Sequence, residues 1–342
     1  MQDITGLTLD ELKRLFEKWG EPCFHAQQIF SWIYKKGIIE FDKMSDLSRD
    51  LRKRLKENFS ICDLELTEIL ESRDGTKKFL FRLKEGNFIE AVIIPTEKRI
   101  TGCISSQVGC KFACRFCASG LLGFKRNLNC SDIINEVLYL KNNSSGKLLT
   151  HIVFMGTGEP LDNYDNVLKA IRIINSDYGL NIGARRITIS TCGIIPAIKR
   201  LAGEGLQIEL SVSLHAGDDE TRSKLMPITK IYPLKELISA CREYIRKTNR
   251  QVTFEYVMVK GINSHLHDAM KLGKILKGLN CKVNLIPFNP VKEGKFYPPD
   301  KSGILLFKER LLKSGVNVTL RKGRGQDIEA ACGQLRLRYE KR

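Results

Sequence analysis

Gly102-Cys103-Ile104-Ser105-Ser106-Gln107-Val108-Gly109-Cys110-Lys111-Phe112-Ala113-Cys114-Arg115-Phe116-Cys117 joins an apolar run of strand length to three thiols within eight residues. Soft thiolates at such spacing suit zinc or an iron–sulfur cluster far better than magnesium or calcium. Three structural core cysteines are the plain alternative, but a core has little use for three in one loop that also holds Lys111 and Arg115. A structural zinc site normally takes four protein ligands, commonly as two pairs. This chain has one triplet and no second Cys-x-x-Cys. A triplet leaves one iron of a four-iron cluster without a protein ligand, and an open metal position marks a catalytic site.

Outward from this loop the chain alternates apolar runs with helix-length amphipathic stretches. The spacing predicts strands over 102–106, 151–155, 186–191, 208–214, 252–259, 282–287 and 316–320. Helical patterns fall between them over 131–141, 162–174, 233–246 and 266–277. Alternation of this kind calls for a parallel sheet with crossover helices, so the expected class is α/β with a partial (β/α) TIM-type barrel core. Chemistry then collects at the carboxyl ends of the strands. Before the barrel, residues 1–60 read as a small module of three helices, opened by a Thr8/Glu11 capping box and first stopped at Gly20. Residues 61–98 read as a β-rich linker whose runs 78–83 and 88–94 form a hairpin about Glu85-Gly86-Asn87. The barrel core is expected over 99–342.

Hydrophobic residues make up 42% and charged residues 28% of the 342, within the range of folded globular chains. No stretch approaches the roughly 18 apolar residues of a membrane span, and Met1-Gln2-Asp3 opens no signal peptide, so a cytoplasmic protein with no membrane partner is expected. Eleven cysteines, an odd number, argue against a disulfide framework. The net charge is +17, and the first hundred residues carry 18 basic and 18 acidic groups, so the whole excess lies in 101–342. Such a field attracts RNA or DNA, although a solvated lysine-rich surface gives the same count. Residues 111–130 hold four basic groups and no acid, and 321–342 hold seven basic and three acidic. Phosphate contacts from such groups would grip a nucleic acid without reading its sequence.

Other candidate ligands end successive predicted strands. They are Gly158 and Glu159 in Met155-Gly156-Thr157-Gly158-Glu159-Pro160, Ser190, Ser213-Leu214-His215, and Asn289 in Pro287-Phe288-Asn289-Pro290. Singly, each is an ordinary cap or turn residue. A barrel would converge them on one ligand.

The triplet of Cys110, Cys114 and Cys117 resembles the signature of radical S-adenosylmethionine (SAM) enzymes. Arg321-Lys322-Gly323-Arg324-Gly325-Gln326-Asp327-Ile328-Glu329-Ala330-Ala331-Cys332-Gly333-Gln334-Leu335, together with Cys103 and Glu90, extends the likeness over nearly the whole chain. It is similar to the RlmN/Cfr family of adenine methyltransferases acting on 23S ribosomal RNA. Gly158-Glu159-Pro160 and Arg324-Gly325 resemble the C2-methylating branch, while Thr157 stands where that branch often has Met.

The resemblance implies a [4Fe-4S] cluster on the three cysteines, with SAM chelated to its open iron and held by Gly158, Glu159, Ser190, Ser213, Leu214, His215 and Asn289. Reductive cleavage of SAM would give a 5′-deoxyadenosyl radical. Carbon 2 of adenine is electron-poor and does not attack an electrophilic methyl group, so a radical route is required. The resemblance implies that Cys332 carries the methyl group as S-methylcysteine, with transient attachment of the RNA. It implies Glu90 as proton acceptor and a transient Cys103–Cys332 disulfide. It further implies 23S rRNA at the peptidyl-transferase centre, naked or pre-ribosomal, as substrate, with tRNA as a second one. Flavodoxin or ferredoxin would be the electron donor, and the enzyme a monomer. Two other readings stay open: C8 methylation of adenine, and a non-catalytic RNA-binding protein with zinc on the cysteine triplet.

Overall fold

The computed structural model describes residues 1–121, 123–144, 146–290, 296–321, 323–328 and 334–340. Seven parallel strands form its centre, numbered here β1 (Ile100–Cys103), β2 (His151–Phe154), β3 (Ile187–Thr191), β4 (Glu209–Ser213), β5 (Val252–Met258), β6 (Cys281–Pro287) and β7 (Asn317–Leu320). Each pairs with the next in chain order, so the sheet winds in one direction as a barrel does. Among the described residues no pairing joins β7 back to β1, and the barrel is therefore partial. Helices Cys130–Asn142, Tyr164–Asn175, Ile195–Leu201, Leu234–Thr248, Leu266–Leu276 and Lys301–Lys313 cross between successive strands. Six of the seven residues of β5 are buried, as expected for a central parallel strand.

The β-rich segment differs from a free-standing linker. Three antiparallel strands, Glu65–Glu71, Lys77–Arg82 and Phe88–Pro95, continue the barrel sheet through β1. The hairpin is where the sequence places it. The outermost strand, Glu65–Glu71, carries three glutamates and is mostly exposed, the pattern of a protected sheet edge, which hides its strand character.

The amino-terminal helices form as their caps predict. Thr8 and Glu11 make the reciprocal capping box of Leu9–Trp19, and Gly20 ends that helix in the left-handed region at φ 72°. Phe24–Phe30 runs on into a π-helical turn, and Arg49–Asn58 follows. A two-residue parallel bridge, Gln2–Asp3 with Phe59–Ser60, ties the start of this module to its end. Its apolar side chains belong to the same continuous core as the barrel. Polar contacts cross the seam: Thr5 Oγ1 donates to Asn135 Oδ1 (2.7 Å) and Asn135 Nδ2 to Asp3 Oδ2 (2.6 Å), while on the module's side Tyr34 OH donates to the Thr5 carbonyl (2.8 Å).

Candidate active site

The cysteine loop leaves β1 through Gln107–Gly109, which pairs with Phe124–Asn127 beyond the loop and closes its neck. Gly109 makes this closure possible. Its φ is 82°, and a Cβ there would stand 1.7 Å from the Gly123 carbonyl oxygen. Gly109→Ala is therefore expected to spread the neck and lower the iron and sulfide bound after anaerobic reconstitution. Gly123→Ala has the same backbone sign but open space around it, and should cost only the left-handed strain of about 1–2 kcal/mol. Equal metal content in the two variants would remove the neck from the argument.

Within the loop, Cys117 N–H donates to the Cys114 carbonyl (3.0 Å) and Arg115 N–H to the Leu225 carbonyl (2.9 Å). Phe112, Cys114 and Phe116 pack on a small core of Cys192, Leu225, Met226, Ile228, Val259 and Phe288, at the carboxyl ends of β3 to β6. Burial, the Cys117 thiol and the Glu159 and Asp162 carboxylates push the Cys110 thiol up to about 12. Burial likewise raises Cys114, opposed by the Arg222 charge. Thiols held this way release their protons to a bound metal. No three His, Cys, Asp or Glu side chains among the described residues stand close enough to share one metal ion.

The glycine-rich turn after β2 lies directly on the backbone leading to the cysteines. Ser106 and Gln107 N–H groups both donate to the Thr157 carbonyl (2.8 and 3.1 Å). A Cβ on Gly158, whose φ is 107°, would approach Gln107 N to 2.7 Å. Glu159 sits differently from a ligand that offers its carboxylate. It is buried, and its oxygens accept from Leu161 N–H (3.0 Å) and Cys192 N–H (2.6 Å). Burial raises its pKa. Its side chain thus ties β2's turn to the end of β3.

Ser190 lies near the end of β3, Ser213 ends β4, Leu214 and His215 follow it, and Asn289 follows β6, so all the strand-end candidates reach one rim. Ser190, Ser213 and Asn289 are half-buried. His215 is buried, with a left-handed φ of 59°. Its Nδ1 accepts from Val257 N–H (2.9 Å), which leaves the ring proton on Nε2. Burial, then the Arg222 charge, push its pKa down to about 3, so the ring is neutral. Its Nε2 has no partner among the described residues, and its ring meets Phe116, between Cys114 and Cys117, edge-on at 4.6 Å. An orphaned donor against the thiol loop is what a polar ligand beside a cluster would satisfy.

Glu90 and Cys103 come together on one sheet face. Val92 pairs with Cys103, and Glu90 lies two residues along the same strand on the same side. The opposite face, carrying Phe79 and Phe81, packs on Tyr139 of the first crossover helix, and a Cβ on Gly102 would touch Leu140 and Leu149 on that side. Glu90 and Cys103 therefore face away from that helix. Arg336, in the final helix Gln334–Glu340, donates its backbone N–H to Glu90 Oε1. Cys332 lies outside the described residues. Of the other six cysteines, Cys130, Cys192, Cys241 and Cys281 are buried core groups, while Cys23 and Cys62 are half-buried.

Sequence reasoning missed two charged residues of the site. Lys78 is fully buried, with Nζ 2.9 Å from Glu90 Oε2. Arg222 is fully buried too and donates to the carbonyls of Cys192 (2.8 Å), Ser213 (3.1 Å) and Leu214 (3.1 Å) and to Thr229 Oγ1 (3.1 Å). The apolar residues Leu225 and Met226, three and four positions on, place it on the inward face of its helix, which is the signal that could have found it. The basic loop is partly neutralised, since Lys111 pairs with Asp162 (2.6 Å) and Arg126 with Glu85 (2.6 Å) and Asp132 (2.8 Å). Arg115 is exposed.

Residues 104–273 match the model of the radical SAM superfamily, and residues 2–61 that of the ribosomal RNA large subunit methyltransferase N-terminal domain. A Clostridium perfringens (strain SM101 / Type A) protein described as "Probable dual-specificity RNA methyltransferase RlmN" is 47% identical over 342 residues, spanning 100% of this chain and 98% of that one. A Caldanaerobacter subterraneus subsp. tengcongensis protein of the same description is 46% identical, spanning 100% and 99%. The crystal structure of a radical SAM methyltransferase from Sphaerobacter thermophilus superposes with a TM-score of 0.95 at 42% identity, covering 98% of this chain and 99% of that one.

Proposed function

The chain belongs to the RlmN family of radical SAM methyltransferases, and from that membership we propose that it methylates carbon 2 of an adenosine in 23S rRNA, at the peptidyl-transferase centre, and of an adenosine in tRNA. It is an enzyme that uses a [4Fe-4S] cluster and SAM. The observation that carries the reading is the loop of Cys110, Cys114 and Cys117, packed on the strand ends where Gly158, Ser190, Ser213, Leu214, His215 and Asn289 converge. When bound, the cluster and SAM supply a carbon-centred radical able to take a hydrogen atom from a methyl group.

The chain's own residues do the rest. Cys110, Cys114 and Cys117 hold three irons as thiolates. The main chain of Gly158 and Glu159, with Ser190, Ser213, Leu214, the His215 ring and Asn289, cradles SAM and keeps water from it. Cys332, four residues before Arg336, takes a methyl group from SAM by nucleophilic displacement and presents it as S-methylcysteine. Once a hydrogen atom has been taken from that methyl group, the carbon left would bond to adenine C2, and Glu90 would accept the C2 proton as the adduct radical gives up one electron to the oxidised cluster. The Cys103 thiolate would then attack the Cys332 sulfur to form the disulfide, the carbon–sulfur bond breaking with its electron pair on the methylene carbon, which takes up a proton to become the methyl group of the released RNA. The shared face of Glu90 and Cys103 supports their acting on the same bound adenine.

The adenine must be turned out of its stack to reach this rim, so naked or pre-ribosomal RNA is the substrate. Flavodoxin or ferredoxin supplies the electron, and the protein works as a cytoplasmic monomer. None of its described helices is long and apolar enough to cross a membrane.

Anaerobic reconstitution, metal analysis and mass spectrometry of treated 23S rRNA fragments and total tRNA test the reading together. Iron and sulfide on the protein and a methyl group on C2 are expected in both RNAs. Zinc without sulfide, or a methyl group on C8, would overturn it.

A further inference from the structure

Lys78 has no exposed surface and sits in an ion pair with a carboxylate only 4% exposed. Burying two charges costs several kcal/mol each, and an apolar pair of similar volume holds a sheet equally well. Stability alone therefore gives little reason for the pair to be there. Its placement gives a better one. The strand register runs Lys78 opposite Val92 and Val92 opposite Cys103, so Lys78 and Cys103 lie in one row across three strands. Glu90, opposite Leu80, lies in the next row on the same face. Diagonal neighbours on such a face are about 7–8 Å apart, within reach of long side chains.

The two oxygens of Glu90 are held from different sides, Oε2 by the Lys78 ammonium and Oε1 by the Arg336 backbone N–H. A carboxylate gripped at both oxygens has a fixed position and a fixed plane. The grip also joins the sheet to the helix that follows the Cys332 segment. That helix is further seated by Arg338 on Glu68 (2.8 Å) and by Tyr339 against Phe88, ring centroids 5.0 Å apart.

We propose that Lys78 is a positioning residue for the deprotonation step, holding the Glu90 carboxylate beside Cys103 so that it meets the C2 proton of the tethered adenine. The proposal rests on the reading of Glu90 as proton acceptor. In the step, the C2–H bond breaks, its electron pair stays with the adenine ring and its proton joins a Glu90 carboxylate oxygen. Lys78 makes and breaks no covalent bond. Its compact ammonium places a point charge on one oxygen, where a guanidinium would compete for both.

The test separates formation of the protein–RNA adduct from its release. Full-length, cluster-loaded Lys78→Met should methylate Cys332 and attach to RNA normally, yet release it about 100-fold more slowly, the lower end of what a placed base contributes. The attached species then accumulates on denaturing gels, as it should for Glu90→Gln, and Lys78→Arg should recover part of the release rate. Release by Lys78→Met at the unaltered rate, while Glu90→Gln traps RNA, overturns the role of Lys78 and leaves that of Glu90 intact. Release by Glu90→Gln at the unaltered rate overturns the reading of Glu90 itself. Parallel loss of Cys332 methylation, attachment and release in both Lys78→Met and Lys78→Gln marks a structural role and overturns the proposal.

Discussion

Cys332→Ala is expected to abolish RNA methylation, by at least about a thousandfold or ~4 kcal/mol of transition-state stabilisation, while iron and sulfide content stay unchanged. The size follows from what Cys332 is assigned to do. Adenine C2 is electron-poor and needs a carbon radical delivered to it, and in the proposed route the thiolate at 332 carries that carbon. The cluster ligands lie in another loop, more than 200 residues earlier, so loading does not depend on this side chain. Alanine also leaves the Arg336 N–H contact to Glu90 in place, since that bond comes from backbone. The measurement is mass spectrometry of the RNA beside metal analysis of the same preparation. Methylation at C2 by the alanine variant would sink the carrier role.

Arg222→Met should produce the largest loss of stability among single changes at the rim, about 3–5 kcal/mol. Removing the guanidinium takes away a donor shared by the carbonyl oxygens of Cys192, Ser213 and Leu214 and by the Thr229 hydroxyl, which keeps only its own bond to the Met226 carbonyl. The N–H of Cys192 is fixed by Glu159 and its carbonyl by Arg222, so opposite charges grip the two peptide units that flank this residue and lock β3's end against β4's. Arg222→Lys keeps the charge but cannot reach all four acceptors, and should recover little. The expected observation is a lower urea midpoint at unchanged slope, together with weaker SAM binding. A midpoint equal to that of the unaltered protein would show that the brace holds nothing.

Much of this architecture was legible because each chemical motif follows a strand of ordinary apolar composition. The cysteine loop, the Gly158 turn, Ser190, Ser213 and Asn289 could be placed at strand ends from hydrophobic runs alone, and the parallel sheet bears that placement out. Roles were less legible than positions. Glu90 and Cys103 read as a strand carboxylate and a small buried thiol until the family resemblance singles them out. Lys78 and Arg222 were hidden for a physical reason: an isolated basic residue in a charged chain reads as solvated surface, and only the tertiary register shows it dry. Lys77 and Lys78 make the point, since alternation along one strand sends the first to Glu71 at the edge and the second to Glu90 inside. The bonding of Glu159 was hidden in the same way, its carboxylate being taken up by backbone N–H groups that no sequence pattern displays.

The seam between the first sixty residues and the barrel makes the protein poor material for modular engineering. Thr5, Asn135, Asp3 and Tyr34 share one network, and Ile133, Val137 and Leu140 of the first crossover helix belong to the same core as Leu12, Phe16 and Ile33. A shortened chain starting near residue 61 would bare that helix to water, and a foreign module grafted in its place would have to reproduce the seam residue by residue. The two parts share one core, so a substitution on the inner face of the amino-terminal helices is felt in the barrel's first crossover helix as well.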